Sequence, residues 1–113
     1  MHEASITDSL LSLALEKARE AKAQKITRIN LVFGELSGVV GECVKFYFDV
    51  ISKDTAADGA ELAWETRPAR IRCRKCDKEF TPIDQDWTCP DCHEISLEIV
   101  SGRECYMESI EVE

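Results

Sequence analysis

Four of the six cysteines stand in two pairs, Cys73-x2-Cys76 and Cys89-x2-Cys92, with 12 residues between them. Each short turn brings two sulfurs toward one point, and two such turns complete a tetrahedron. A closed tetrahedral thiolate set suits Zn(II), which has no redox chemistry and no d-electron preference for another shape. No position is left open for water, so the expected role is to fold a segment too short to build its own core. Two redox pairs or two disulfides are the competing readings. Neither pair sits between a strand and a helix, as a thiol oxidoreductase of the thioredoxin kind requires. Four thiolates on Zn²⁺ leave two net negative charges. Arg70, Arg72, Arg74, Lys75 and Lys78 are close enough in sequence to offset them, or to meet a partner. His93 follows Cys92 directly, but the cysteines already close the shell and the role of His93 is open. Cys43 and Cys105 fall in apolar surroundings and are expected to be small buried residues.

The second constellation is the chain's beginning, "MHE". His2 is one of only two histidines in 113 residues. The Met1 α-amine, the His2 imidazole and the amide nitrogens of His2 and Glu3 lie within one short stretch. Deprotonated amides give a strong planar field, and nitrogen-rich planar sites favour Ni(II) or Cu(II) over Zn(II). Histidine at the second position closes fewer planar rings than histidine at the third. Such a site is weaker, or takes an extra ligand such as the Glu3 carboxylate. A bulky second residue should preserve Met1, so the amine offered is its own. A surface histidine without function is the plain alternative.

The elements around these groups follow from periodicity. Ser5 to about Lys25 is expected to be a helix, with Ile6, Leu10, Leu13, Ala14 and Ala21 at helical spacing, Leu11, Leu15 and Ala18 widening the apolar face, and Ser5 with Asp8 as a capping pair. Ile26 to Phe33 alternates, with Ile29, Leu31 and Phe33 on one face and Arg28 and Asn30 on the other, as in a half-buried strand. "GELSGVVGE" reads as a loop. Val40 to Lys53 gives a second helix with Val40, Val44, Tyr47, Phe48 and Ile51 on one stripe. Ala60 to Arg67 is a second strand carrying Leu62 and Trp64, ended by Pro68, and "SGRECYMESIEVE" holds the last. The expected fold is α+β: a small three-stranded mixed sheet covered by two helices, with a four-cysteine zinc module inserted before the last strand. The expected division is residues 1–68 with 101–113, and 69–100.

Composition narrows the function classes. A net charge of −8 disfavours nucleic acid, whose phosphates need clustered Lys and Arg. No apolar run approaches the roughly 20 residues that span a bilayer. Charges at Glu3, Asp8, Glu16, Lys17, Arg19 and Glu20 break any signal-peptide pattern. A cytoplasmic location is expected, where paired thiols serve as metal ligands more often than as disulfides. No phosphate-cradling glycine loop with lysine is present, and no nucleophile has an evident base, so no enzyme is expected.

"MHE" at the start, "VFGELSGV", "RPARIRC", the two CxxC pairs and a terminal "SGRECYMESIEVE" together resemble the HypA/HybF family of hydrogenase nickel-incorporation proteins. The resemblance runs from Met1 to Glu113 with all pieces in order. It implies a metallochaperone delivering Ni(II) to the large subunit of [NiFe]-hydrogenase. It maps nickel ligands onto His2, with Glu3 and the terminal nitrogens of Met1 and its neighbours, and zinc ligands onto Cys73, Cys76, Cys89 and Cys92. It also implies a nickel-handling GTPase partner, HypB, and in some organisms a supply to urease maturation. Cys105 departs from the family pattern, where an apolar residue is usual. A zinc-ribbon module that binds nucleic acid or protein is the alternative function.

Overall fold

The computed structural model describes residues 3–82 and 86–113. Helix α1 spans Glu3–Glu20, strand β1 Ile26–Gly34, helix α2 Gly41–Ile51 and strand β2 Glu61–Arg67. Three short strands follow, β3 (Arg70–Cys73), β4 (Glu79–Phe80) and β5 (Leu97–Ser101), and β6 (Cys105–Val112) ends the chain. One sheet has the order β2-β1-β6, the other β4-β3-β5. β1 and β2 run parallel, which requires a crossover, and α2 is that crossover. β6 returns antiparallel to β1. The mixed three-stranded sheet with two helices is as expected.

β1 lies in the middle of its sheet and is buried along most of its length. Ile29, Leu31 and Phe33 join Leu11, Ala14 and Ala18 of α1 and Val44 and Phe48 of α2 in one apolar cluster. The opposite face is polar. There Arg28 reaches Glu61 at 3.9 Å and Glu111 at 3.6 Å, and Arg67 reaches Glu65 at 2.7 Å and Glu108 at 3.9 Å. Alternation over Arg28–Leu31 therefore separates a covered face from a more solvated one, while Val32, on the second face, is buried too.

Several local expectations need correction. Helix α1 begins at Glu3, so Ser5 is inside it and forms no cap; instead Thr7 Oγ1 donates to the Glu3 carbonyl. It stops at Glu20 rather than Lys25, because Lys22 turns left-handed (φ 56°). The Ala23 N–H then bonds the Ala18 carbonyl and the Lys22 N–H the Arg19 carbonyl, which is a Schellman ending. The buried residues of α1 are Thr7, Leu11, Ala14 and Ala18; the three apolar ones lie within the broad expected face, whereas Leu13, also expected there, is exposed. In α2 only Val44 and Phe48 are buried, while Val40, Tyr47 and Ile51 are exposed. Cys43 is exposed as well, beside Phe46 and Val50, not buried as its apolar surroundings implied. Cys105 is half-buried against the main core, and burial raises its thiol pKa.

The second sheet has only a small core: Ile71, Phe80, Cys73 and Cys89 are buried, with Cys92, Leu97 and Ile99 packed against them. Two stretches join it to the first sheet, Pro68–Ala69 and Gly102–Glu104, and the "GELSG" loop grips both. The Glu35 N–H bonds the Arg67 carbonyl at 2.8 Å, the Leu36 N–H the Gly102 carbonyl at 2.6 Å, and the Gly34 N–H the Glu104 carbonyl at 2.6 Å. Ser37 Oγ closes the loop on the Gly34 carbonyl at 2.7 Å. A Cβ on Gly34 would lie 2.0 Å from the Gly102 oxygen, so glycine is required there by contact. Gly102 itself has φ 117°, and its N–H is held by the Glu104 carboxylate.

Candidate metal centre

The two CxxC turns are built alike. In the first, the Cys73 N–H bonds the Lys78 carbonyl at 2.9 Å and the Asp77 N–H bonds the Cys73 carbonyl at 2.9 Å. In the second, the Cys89 N–H bonds the Glu94 carbonyl at 3.0 Å and the His93 N–H bonds the Cys89 carbonyl at 2.9 Å. The residue after each second cysteine turns left-handed, Asp77 at φ 62° and His93 at φ 60°. Aspartate and histidine are among the non-glycine residues that accept this conformation most readily. His93 thus has a backbone role matching that of Asp77, and it is absent from the group of converging donors.

The turns face each other and bring all four sulfurs within 4.8 Å of one another. Cys73 and Cys92 are 3.5 Å apart, Cys76 and Cys89 3.6 Å, and Cys76 and Cys92 3.8 Å. An ion about 2.3 Å from each corner of a sulfur tetrahedron sets S···S edges near 3.8 Å. The geometry therefore fits a single tetrahedral metal. Contacts cross from one CxxC to the other, and no disulfide joins the cysteines. This is one four-sulfur cluster, not two independent redox pairs.

Electrostatics favour the same use. Chiefly the Cys92 N–H, with that of Asp91, draws the Cys89 thiol down to about 7 against the effect of burial. At Cys92 the Glu94 N–H pulls downward, but burial and the sulfurs of Cys73, Cys89 and Cys76 hold the thiol up at about 12. Cys76 is raised too: the Lys78 N–H lowers it, but burial and neighbouring thiols prevail. Four sulfurs this close resist shedding all their protons unaided, and a divalent cation supplies the compensating charge.

The nearby basic run does not converge on the sulfurs. Arg72 pairs with Glu98 at 2.7 Å and Glu79 at 3.6 Å, Arg70 with Glu79 at 4.0 Å, and Lys78 with Asp91 at 3.2 Å. Arg74 donates to the Leu97 carbonyl at 3.3 Å. These cations are matched by local carboxylates and a carbonyl, which removes the open basic stripe that a phosphate backbone would need.

At the other end, Met1 and His2 lie outside the described residues. Glu3 is described: it is the half-buried first residue of α1. The four cysteines are thus placed together, and of the expected amino-terminal set only Glu3 is placed. What sequence reasoning left without a role is the "GELSG" loop, which joins the two sheets. Its signal was the glycine spacing, legible only once Gly34 is seen against Gly102.

Known proteins agree with this arrangement. A family model described as "Hydrogenase/urease nickel incorporation, metallochaperone, hypA" matches residues 1–112. A hydrogenase maturation factor HypA from Dehalococcoides mccartyi is 49% identical over 113 residues, covering 100% of this chain and 95% of the relative. One from Caldanaerobacter subterraneus is 40% identical over 114 residues, covering 100% of each. The solution structure of the Ni metallochaperone HypA from Helicobacter pylori is similar with a TM-score of 0.71 and 28% identity, over 99% of this chain and 97% of that one. With two helices on a mixed sheet, a four-cysteine metal cluster and a family match along almost its whole length, this chain belongs to the HypA family of nickel-incorporation metallochaperones.

Proposed function

We propose that this protein carries Ni(II) on its own amino terminus and passes it to [NiFe]-hydrogenase during maturation. The Met1 amine, the His2 imidazole, the intervening amide nitrogens and the Glu3 carboxylate form the claw. The observation that carries the reading is the family match over residues 1–112, which includes "MHE". Its physical support is that Glu3, one of the proposed donors, belongs to α1, so the proposed claw adjoins an ordered element. The N-terminal end of a helix bears partial positive charge and opposes a bound cation. Anionic donors, the Glu3 carboxylate and deprotonated amides, offset that opposition. A site balanced in this way holds its cargo moderately and releases it when its nitrogens regain protons or a partner competes.

The four-cysteine centre, in this proposal, holds Zn(II) permanently and has no part in carrying nickel. Zn(II) supplies cross-linking only: Cys73, Cys76, Cys89 and Cys92 hold residues 69–100 together as a module beside the nickel-binding unit of residues 1–68 and 101–113. The partners are the GTPase HypB, the hydrogenase large subunit and, where urease is made, its maturation proteins. The work is cytoplasmic and involves no catalysis by this chain. None of the described helices is long and apolar enough to cross a membrane.

Metal analysis of the purified, untagged chain and its His2→Ala variant tests the reading. Both should hold one zinc per chain, and only the natural sequence should hold one nickel. The variant's nickel affinity is expected to fall roughly 100-fold or more, about 2.8 kcal/mol. Equal nickel in both would refute the claw.

A further inference from the structure

The order β2-β1-β6 leaves β6 at an edge of its sheet. Alternate N–H and C=O groups of an edge strand have no partner in the sheet and can template another strand. Beside this edge runs a groove of about 520 Å³, walled by Ile6, Leu10 and Leu13 of α1 and by Cys105, Tyr106 and Met107 of β6. Successive strand residues point to opposite faces. Cys105 and Met107 share one face, and Tyr106 between them adds main chain to the groove or reaches it over the strand's edge. The apolar helix stripe Ile6-Leu10-Leu13 is the one displaced from the core-facing residues Leu11, Ala14 and Ala18. It therefore offers apolar surface next to an open edge of main-chain hydrogen-bonding groups.

Charge selects the occupant. Residues 3–16 of α1 include Glu3, Asp8 and Glu16 and no Lys or Arg. Residues 104–113 include Glu104, Glu108, Glu111 and Glu113 and again no Lys or Arg. Arg67 and Arg28 reach Glu108 and Glu111 from neighbouring strands, at 3.9 and 3.6 Å. Asp8 and Glu16 form no ion pair among the described residues. Two copies joined at this edge would set acid against acid.

We infer that β6 and the adjoining face of α1 form a docking site for an extended segment of a partner protein, alternating apolar and basic residues. The segment adds a fourth strand to the sheet at β6. Its apolar side chains fill the groove under Leu10 and Leu13, and its basic side chains meet the surrounding carboxylates. Ser5, the first residue at the groove, is two positions from Glu3. A docked partner thus lies beside the opening turn of α1. The inference concerns where a partner binds and does not need the nickel claw to be correct.

The test is NMR titration of the untagged, zinc-loaded full chain with a capped heptapeptide alternating valine and lysine. Two controls run in parallel: its glutamate counterpart, and a lysine version N-methylated at alternate residues so that it cannot extend a sheet. The lysine peptide should shift the β6 amides and the methyl signals of Leu10, Leu13 and Met107. The glutamate peptide should not bind, and N-methylation should weaken binding at least about tenfold through lost main-chain hydrogen bonds. Leu13→Arg, at an exposed position that leaves the core intact, should weaken it as well. The inference is overturned if the lysine peptide fails to bind, if all three peptides bind alike, or if the shifts map to Phe46 and Val50 of α2. Concentration-dependent self-association at β6 without peptide would also overturn it.

Discussion

At residues 73–92 four sulfur donors are locked by two matching turns, each closed by backbone hydrogen bonds and a left-handed residue. At residues 1–3 the proposed donors are a terminus, one side chain and the opening residue of a helix. In the first arrangement all four donors converge on one point, so losing one leaves the shell incomplete and the small core without its cross-link. The second depends on groups whose protons come and go near neutral pH. In the proposed function the difference is that between a metal that holds a fold and a metal that is carried. Fixing a cation requires geometry set before it arrives; handing it over requires that the geometry be easy to undo.

The largest effect that can sharpen this contrast is loss of one sulfur. Cys76→Ser should reduce zinc from one per chain to none and unfold residues 69–100, because among their described residues only Ala69, Ile71 and Phe80 are buried besides cysteines. The lost binding free energy is on the order of 10 kcal/mol. NMR should show β3, β4 and β5 collapsing while β1, β2 and β6 keep their pairing. If the larger sheet melted as well, the two regions would be one cooperative unit and the contrast would fail.

A smaller effect probes the join between the regions. Gly34→Ala puts a methyl against the Gly102 carbonyl, where backbone must move to admit it. A loss of about 3 kcal/mol is expected in urea unfolding, with amide shifts at Leu36, Ala69 and Gly102. Undisturbed stability would mean that the loop does not clamp the linkers.

The smallest effect concerns His93. Its left-handed backbone costs about 1 kcal/mol for a residue with a Cβ. His93→Gly should therefore raise stability by up to about 1 kcal/mol and leave zinc at one per chain. Loss of zinc in that variant would make the histidine a ligand after all.

These regions were unequally legible in the sequence. Cysteine spacing gave the metal cluster, because Cys-x2-Cys turns have few ways to converge. Strand β1 was legible because Ile29, Leu31 and Phe33 fall at every second position, with Arg28 and Asn30 on the other face. The core-facing side of α1 was legible only as a broad face: its apolar residues wrap far enough round that Ile6-Leu10-Leu13 and Leu11-Ala14-Ala18 both fit helical spacing. Only the sheet's position chooses between them, and the stripe left over became the groove wall. Burial of Cys43 was misjudged for the same reason, since α2 is apolar on the side away from the sheet too. The strands of the small sheet escaped notice because β4 has two residues and β3 four, too short for a period to show. The role of "GELSG" was hidden because it depends on Gly102, nearly seventy positions away.

Metal stoichiometry of the natural chain beside a version extended by a few residues before Met1 is the decisive comparison. The extension removes the free amine and moves His2 from the second position, while leaving the cysteines untouched. The extended chain should lose its nickel and keep one zinc. Nickel bound equally by both would contradict a terminal claw and send the search for the carrier site elsewhere in the chain.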